Sequence, residues 1–142
     1  MESVVRMNGK QKAALMQTSF TMFQEGRLTE AAAILEGLIV LDRDNAYAHG
    51  LLGAVHQQKS ENDAAIACYG NAIKSNPRDI QSLVNRGEVY LTQRNMIAAT
   101  NDFVEAIRLD PERKHPAANR ARLFVSLTQE AMKIAKDQRR TS

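Results

Sequence analysis

From Lys10 to Lys136 apolar residues return every three or four positions, the spacing of helices that bury one face. Leu15, Met16, Phe20, Met22 and Phe23 predict a helix over 10–25, and Gly26 breaks it with a turn. Ala31, Ile34, Leu35, Leu38 and Leu41 predict a second helix over 28–41, closed by the polar run Asp42-Arg43-Asp44-Asn45. Beyond it the pattern repeats itself. Gly53, Ala65, Tyr69, Ala72 and Pro77 come back as Gly87, Ala99, Phe103, Ala106 and Pro111, each 34 positions on. That period belongs to helical hairpins that cannot bury their apolar faces alone and stack into an array. The expected fold is all-α, an α-solenoid of three helix hairpins at about 12–45, 46–79 and 80–113, with a capping helix at about 116–136. These form a single domain over 10–138, between a flexible N-terminus (1–9) and a flexible tail (137–142).

Each repeated position has a packing reason. Gly53 and Gly87 let the helices of one hairpin approach closely, and Ala65, Ala72, Ala99 and Ala106 keep the second helix near its neighbours. Tyr69 and Phe103 fill the space between hairpins, and Pro77 and Pro111 end the second helices. Asp79 is the expected N-cap of the helix from Ile80, and Pro116 suits a first helical turn. In the last helix Ala117, Ala121, Phe124, Leu127, Ala131 and Ile134 form an apolar stripe, with Arg120, Arg122, Lys133 and Lys136 on the wetter side.

Charge changes the picture only at the C-terminal end. Residues 112–142 hold eight basic and three acidic groups, which more than accounts for the net +3 of the chain. Solvation of an exposed array end explains this more simply than nucleic-acid binding, so no nucleic acid is expected as a partner. No apolar run approaches the roughly 20 residues of a membrane span, so no membrane insertion is expected. The first residues lack the order of a secretory signal, and a single cysteine excludes an internal disulfide framework. Together these features predict a cytoplasmic protein.

Chemistry-bearing clusters are scarce. His49 and His56 share a helical face, but no carboxylate or cysteine completes a ligand set, and both occupy bulky packing positions. Cys68 sits beside the packing residue Tyr69 without a partner motif. Gly50 and Gly53 are helix-packing positions, not a phosphate loop. Asn101, Asp102 and Arg108 read as solvated outer-face residues. No catalytic residue, metal site or cofactor is expected, and the chain does not read as an enzyme.

These positions resemble the tetratricopeptide repeat, whose signature places a bulky residue, Leu-Gly, Tyr, Ala, an aromatic, Ala and Pro at fixed offsets. Repeat two offers His49, Leu52-Gly53, His56, Ala65, Tyr69, Ala72 and Pro77. Repeat three offers Leu83, Gly87, Tyr90, Ala99, Phe103, Ala106 and Pro111, with Arg86 in place of the leucine. The first repeat keeps Ala31 and the turn at Gly26. A narrower likeness runs through Gly26-Arg27-Leu28-Thr29-Glu30-Ala31, Leu38, Val40-Leu41-Asp42, Gly50-Leu51-Leu52-Gly53-Ala54, Gln57 and Ala65-Ile66 with Tyr69. It is similar to the class II type III secretion chaperones, which hold apolar translocator subunits before export.

The resemblance implies that the first helix of each hairpin lines a concave groove. By repeat position the groove-lining side chains are Met16, Phe20 and Phe23, then Tyr47, Leu51, Gln57 and Gln58, then Gln81, Val84, Asn85 and Glu88. Helical phase alone leaves open whether Phe20 and Phe23 face the groove or the core. The lining is apolar at one end and amide-rich in the middle, which suits an extended segment of a protein partner. Met16, Phe20, Leu51, Gln81 and Asn85 stand where related co-chaperones place a basic clamp for acidic C-termini, so that subclass is not expected. The leading expectation is a small chaperone that covers an apolar segment of a translocator-like protein. The alternative is a structural scaffold or adaptor subunit, and homodimerisation is left open by an apolar first hairpin.

Overall fold

The computed structural model describes residues 6–141, so the expected flexibility of 1–5 and of Ser142 lies outside the described residues. Seven helices follow one another there: α1 (Gly9–Gln24), α2 (Leu28–Leu41), α3 (Ala46–Gln58), α4 (Asn62–Ser75), α5 (Ile80–Thr92), α6 (Met96–Arg108) and α7 (Pro116–Thr141). They pair as α1/α2, α3/α4 and α5/α6. Across hairpins, α1 reaches α3, α3 reaches α5 and α5 reaches α7, whereas α2, α4 and α6 do not reach one another. The odd-numbered helices therefore form the tighter, inner layer, and the curvature of the array makes their outer surface concave.

Polar side chains set the starts of α1, α3, α5 and α6. Asn8 caps α1 in a reciprocal capping box with Gln11. Asn45, Asp79 and Asn95 accept from the backbone amides of Ala48, Ser82 and Ala98, at 3.0, 3.0 and 3.2 Å. Within each hairpin the chain reverses through one residue of positive φ: Gly26 (76°), Ser60 (60°) and Arg94 (62°). These three are also 34 positions apart, and only the first is glycine.

The cores are built on two aromatic rings. A Cβ on Gly53 would lie 2.7 Å from the Tyr69 ring, and one on Gly87 would lie 2.6 Å from the Phe103 ring. Both rings are buried against alanines, Tyr69 with Ala65 and Phe103 with Ala99, Ala106, Ala117 and Ala121. Phe103 also meets Phe124 of α7, with ring centroids 4.9 Å apart. A third cluster joins Ala31, Leu35 and Leu38 of α2 to Ala48, Leu52 and Val55 of α3.

Three expectations change. Asp102 is not a solvated residue. It is 6% exposed and receives two bonds from Arg86, at 2.8 and 2.7 Å, so the arginine in the leucine position has a partner built for it. Arg122, expected on the wetter side, is held by the Asp110 carboxylate at 2.8 Å and by the Asp110 carbonyl. Asp110 in turn accepts from the backbone amides of Lys114 and His115, which fixes the turn into α7. Its carboxyl is held below its ordinary range chiefly by Arg122, against the opposing effect of desolvation. Finally, α7 continues past Lys136 to Thr141, and only its first half packs through Ala117, Ala118 and Ala121. The helix is about 39 Å long and α6 only about 20 Å at 1.5 Å per residue, so the second half outruns the hairpin beneath it. Leu127 and Ile134 of the expected buried stripe are 61% and 51% exposed.

Candidate functional site

The concave face is assembled from α1, α3 and α5, with α7 at its far edge. At the first end, Met16 and Phe23 pack against the α2/α3 cluster while remaining half-buried, so Phe23 is largely a core residue. Phe20 is half-buried and belongs to none of the packed clusters. Tyr47 is 40% exposed at the first turn of α3, and burial of the rest of its ring raises its hydroxyl pKa. Leu51 packs on the same cluster as Met16 and keeps a half-buried outer side.

In the middle the surface is made of amides. Gln58 and Gln81 are exposed, and Gln57 and Asn85 are half-buried. Gln81 Nε2 donates to Asn85 Oδ1 at 2.9 Å. The Tyr69 hydroxyl, coming from α4 in the outer layer, donates to Gln57 Oε1 at 2.6 Å. Burial pushes the pKa of this hydroxyl strongly up, and a hydrogen bond from the Asn85 side chain offsets part of that shift. The Tyr69 side chain, itself fully buried, thus spans from α4 in the outer layer to Gln57 on α3.

Val84 needs correcting. It is 0% exposed and packs with Phe103, Ala117 and Ala121, because α7 lies across the place where a groove-lining side chain would emerge. Glu88 stays at the surface but is engaged by Arg120 of α7, with Nη2 at 2.9 Å and Nε at 3.3 Å. Leu123, Leu127 and Ile134 follow Arg120 at helical spacing and share its side of α7. With Leu123 also 61% exposed, this stripe adds a second apolar stretch beside the groove. Residue periodicity placed Leu127 and Ile134 on the buried stripe and passed over Leu123, since no sequence signal says that the hairpin beneath is half as long as α7.

The residues with chemical potential are placed as packing groups. His49 is buried, and its Nε2 must carry a proton because its partner at 2.8 Å is the Arg43 carbonyl, which can only accept. His56 Nδ1 is a buried atom without a hydrogen bond, 3.5 Å from the Glu61 carboxylate. Burial raises the Cys68 pKa, with a smaller push from Glu36, which disfavours the nucleophilic thiolate. Among the described residues no three histidine, cysteine or acidic side chains could hold a metal ion, and no helix is long and apolar enough to cross a membrane.

The tetratricopeptide-repeat family pattern matches residues 46–79 and 80–113. Among curated proteins, a UDP-N-acetylglucosamine–peptide N-acetylglucosaminyltransferase of Giardia intestinalis is 34% identical over 68 residues, 48% of this chain but 5% of that protein. The likeness is thus confined to a small part of a much longer enzyme. Solved structures cover far more. The Yersinia enterocolitica type III secretion chaperone SycD, in complex with a peptide of the translocator YopD, superposes with a TM-score of 0.77 at 22% identity, covering 93% of this chain and 99% of that one. PcrH from Pseudomonas aeruginosa gives 0.76 at 20% identity, covering 94% and 99%. Residues 46–79 and 80–113 therefore match the tetratricopeptide repeat, and the chain as a whole has the overall fold seen in the type III secretion translocator chaperones.

Proposed function

We propose that this protein is a non-enzymatic chaperone that holds one extended, partly apolar segment of a partner protein along its concave face. The reading is carried by the contrast along the inner layer, where the half-buried Phe20 and the exposed Tyr47 lead into the amides of Gln57, Gln58, Gln81 and Asn85. Aromatic side chains left at a surface bind apolar anchors, and amides bind the backbone between anchors. The mechanism is burial: a covered segment cannot associate prematurely, and no nucleotide is required. A secreted translocator is the partner class that the fold favours, since SycD was solved with a translocator peptide. A cytoplasmic location follows from that role.

In-cell photo-crosslinking from Phe20 and Tyr47 tests this, with the captured protein identified by mass spectrometry. Capture of one protein through a single contiguous apolar segment is expected. Capture of only a second copy of this chain would replace the reading with self-association.

A scaffold role has its own supporting observation. Met96, Ile97 and Val104 of α6 and Val125 and Met132 of α7 line an open apolar groove of about 690 Å³ on the other side of the array. Loss of co-purifying proteins on Ile97→Glu, with crosslinking at Tyr47 unchanged, would favour it.

A further inference from the structure

The last helix carries apolar surface on two opposite sides. At about 100° of turn per residue, Leu123, Leu127 and Ile134 fall within about 40° of one another. Val125 and Met132 lie on the opposite side of α7 and border the open groove against Met96, Ile97 and Val104 of α6. Ile97 is 78% and Met132 66% exposed. The charges are divided in the same way. Glu130 stands one turn from both Leu127 and Ile134, and Asp137 one turn beyond Ile134, so the stripe has an acidic edge. Lys136 stands one turn beyond Met132, and Lys133 one turn beyond Gln129, which also lines the groove. Met96, the first residue of α6, brings the positive end of that helix to the same groove. Glu130, Lys133, Lys136 and Asp137 are all exposed, and their side chains make no hydrogen bond or ion pair among the described residues.

We propose that copies of this chain associate head to tail, the acid-edged stripe of one α7 seating in the lysine-rimmed groove between α6 and α7 of the next. Apolar surface then meets apolar surface, and the Glu130 and Asp137 carboxylates meet Lys133, Lys136 and the start of α6. A pairing of two stripes is less well matched. An antiparallel two-fold pair sets each acidic edge against itself, and a parallel one sets it against Ala131 and Gln138, which carry no charge. Arg120, on that same edge, is already engaged by Glu88. Because stripe and groove point in opposite directions from one helix, the contact is heterologous and leaves a free stripe and a free groove at the ends of each open assembly. The exposed parts of the stripe and of Met96, Ile97, Val104 and Met132 come to on the order of 800 Å² of apolar surface per contact. At the ~60% apolar share of an ordinary interface this makes about 1,300 Å² in all, the low end of what stable association needs. The groove used here lies on the other side of the array from the concave face, and the proposal does not rest on what that face binds.

Sedimentation equilibrium of the purified full chain tests this from about 5 to about 500 µM, the range over which interfaces of this size assemble. The mass of the wild type should rise with concentration past twice the 15.8 kDa of one chain. Leu127→Glu removes the stripe and Ile97→Glu removes the groove. Both positions are more than half exposed, so each variant should fold and melt as the wild type does, which circular dichroism checks. Each variant alone should stay at the mass of one chain. Mixed in equal amounts they should form a dimer and go no further, because the stripe left intact by Ile97→Glu fits the groove left intact by Leu127→Glu. A mixture of folded variants that stays at the mass of one chain overturns the proposal. So does a wild type that stops at the dimer, which marks a two-fold seam. A wild type that remains a single chain at the highest concentration overturns it as well, and leaves the groove to a foreign protein.

Discussion

Repeats two and three follow one backbone plan with two different sets of adhesives. The frame is common to both: Gly53 against Tyr69 and Gly87 against Phe103, each with less than 3 Å between a would-be Cβ and the ring. At the leucine position and its counterpart on the second helix, repeat two uses Leu52 with Cys68 in an apolar cluster. Repeat three uses Arg86 with Asp102 in a two-bond ion pair. Position 69 carries a hydroxyl because its ring tip emerges between amides, whereas position 103 lacks one because its ring meets Phe124. The repeat fixes where a side chain goes, and the neighbour it meets there decides whether it is polar.

The sharpest way to break this comparison is at the shared frame. Gly53→Val and Gly87→Val each drive a branched side chain into a buried ring, and each should cost about 3 kcal/mol or more in urea unfolding. A loss below about 1 kcal/mol at either site would show that the two hairpins are not built alike. Next comes the part that differs. Asp102→Ala strands the Arg86 guanidinium and should cost about 2 kcal/mol or more, against about 1 kcal/mol for Cys68→Ala. The double substitution Arg86→Leu with Asp102→Cys transplants the repeat-two pair and should recover most of that loss. Failure to recover would mean that the ion pair sets the geometry of repeat three.

Smaller effects test the ends of the array. The Asp110 pKa is depressed on folding by Arg122, so the stabilisation it brings is present above its unfolded value near 3.8 and is lost as pH falls through the lower folded value. Arg122→Leu should therefore flatten the fall in melting temperature below about pH 4. An unaltered acid slope would remove this pair from the account. At the opposite end, Lys12→Ala breaks a half-exposed ion pair with Asp42 and should change stability by about 0.5 kcal/mol or less. Tyr47→Glu belongs to the same small class in stability while abolishing crosslinking or peptide capture at the groove.

The fold was legible because packing in a repeat is periodic. Gly53, Gly87, the alanines, Tyr69 and Phe103 stand where the sequence analysis puts them, and the family pattern matches the same two stretches, 46–79 and 80–113. What escaped was whatever depends on the neighbour and not on the period. Val84 occupies a lining position but is covered by α7, and Asp102 occupies an outer position but is claimed by Arg86. The mismatch of Arg86 with the repeat signature was itself a signal, since a buried arginine demands a nearby carboxylate. The hydrogen bond from Tyr69 to Gln57 could not be read from spacing either, because the two residues stand on different helices.

The turns between paired helices carry a consequence of their own. Gly26, Ser60 and Arg94 hold the same left-handed backbone at the same place in successive hairpins, yet only the first lacks a side chain to resist it. Serine and arginine each give up on the order of 1 kcal/mol to stand there. Ser60→Gly and Arg94→Gly are the conservative repairs, each expected to recover part of that cost in thermal unfolding. The array thus carries an unused reserve of durability at two corners, one in the second hairpin and one in the third.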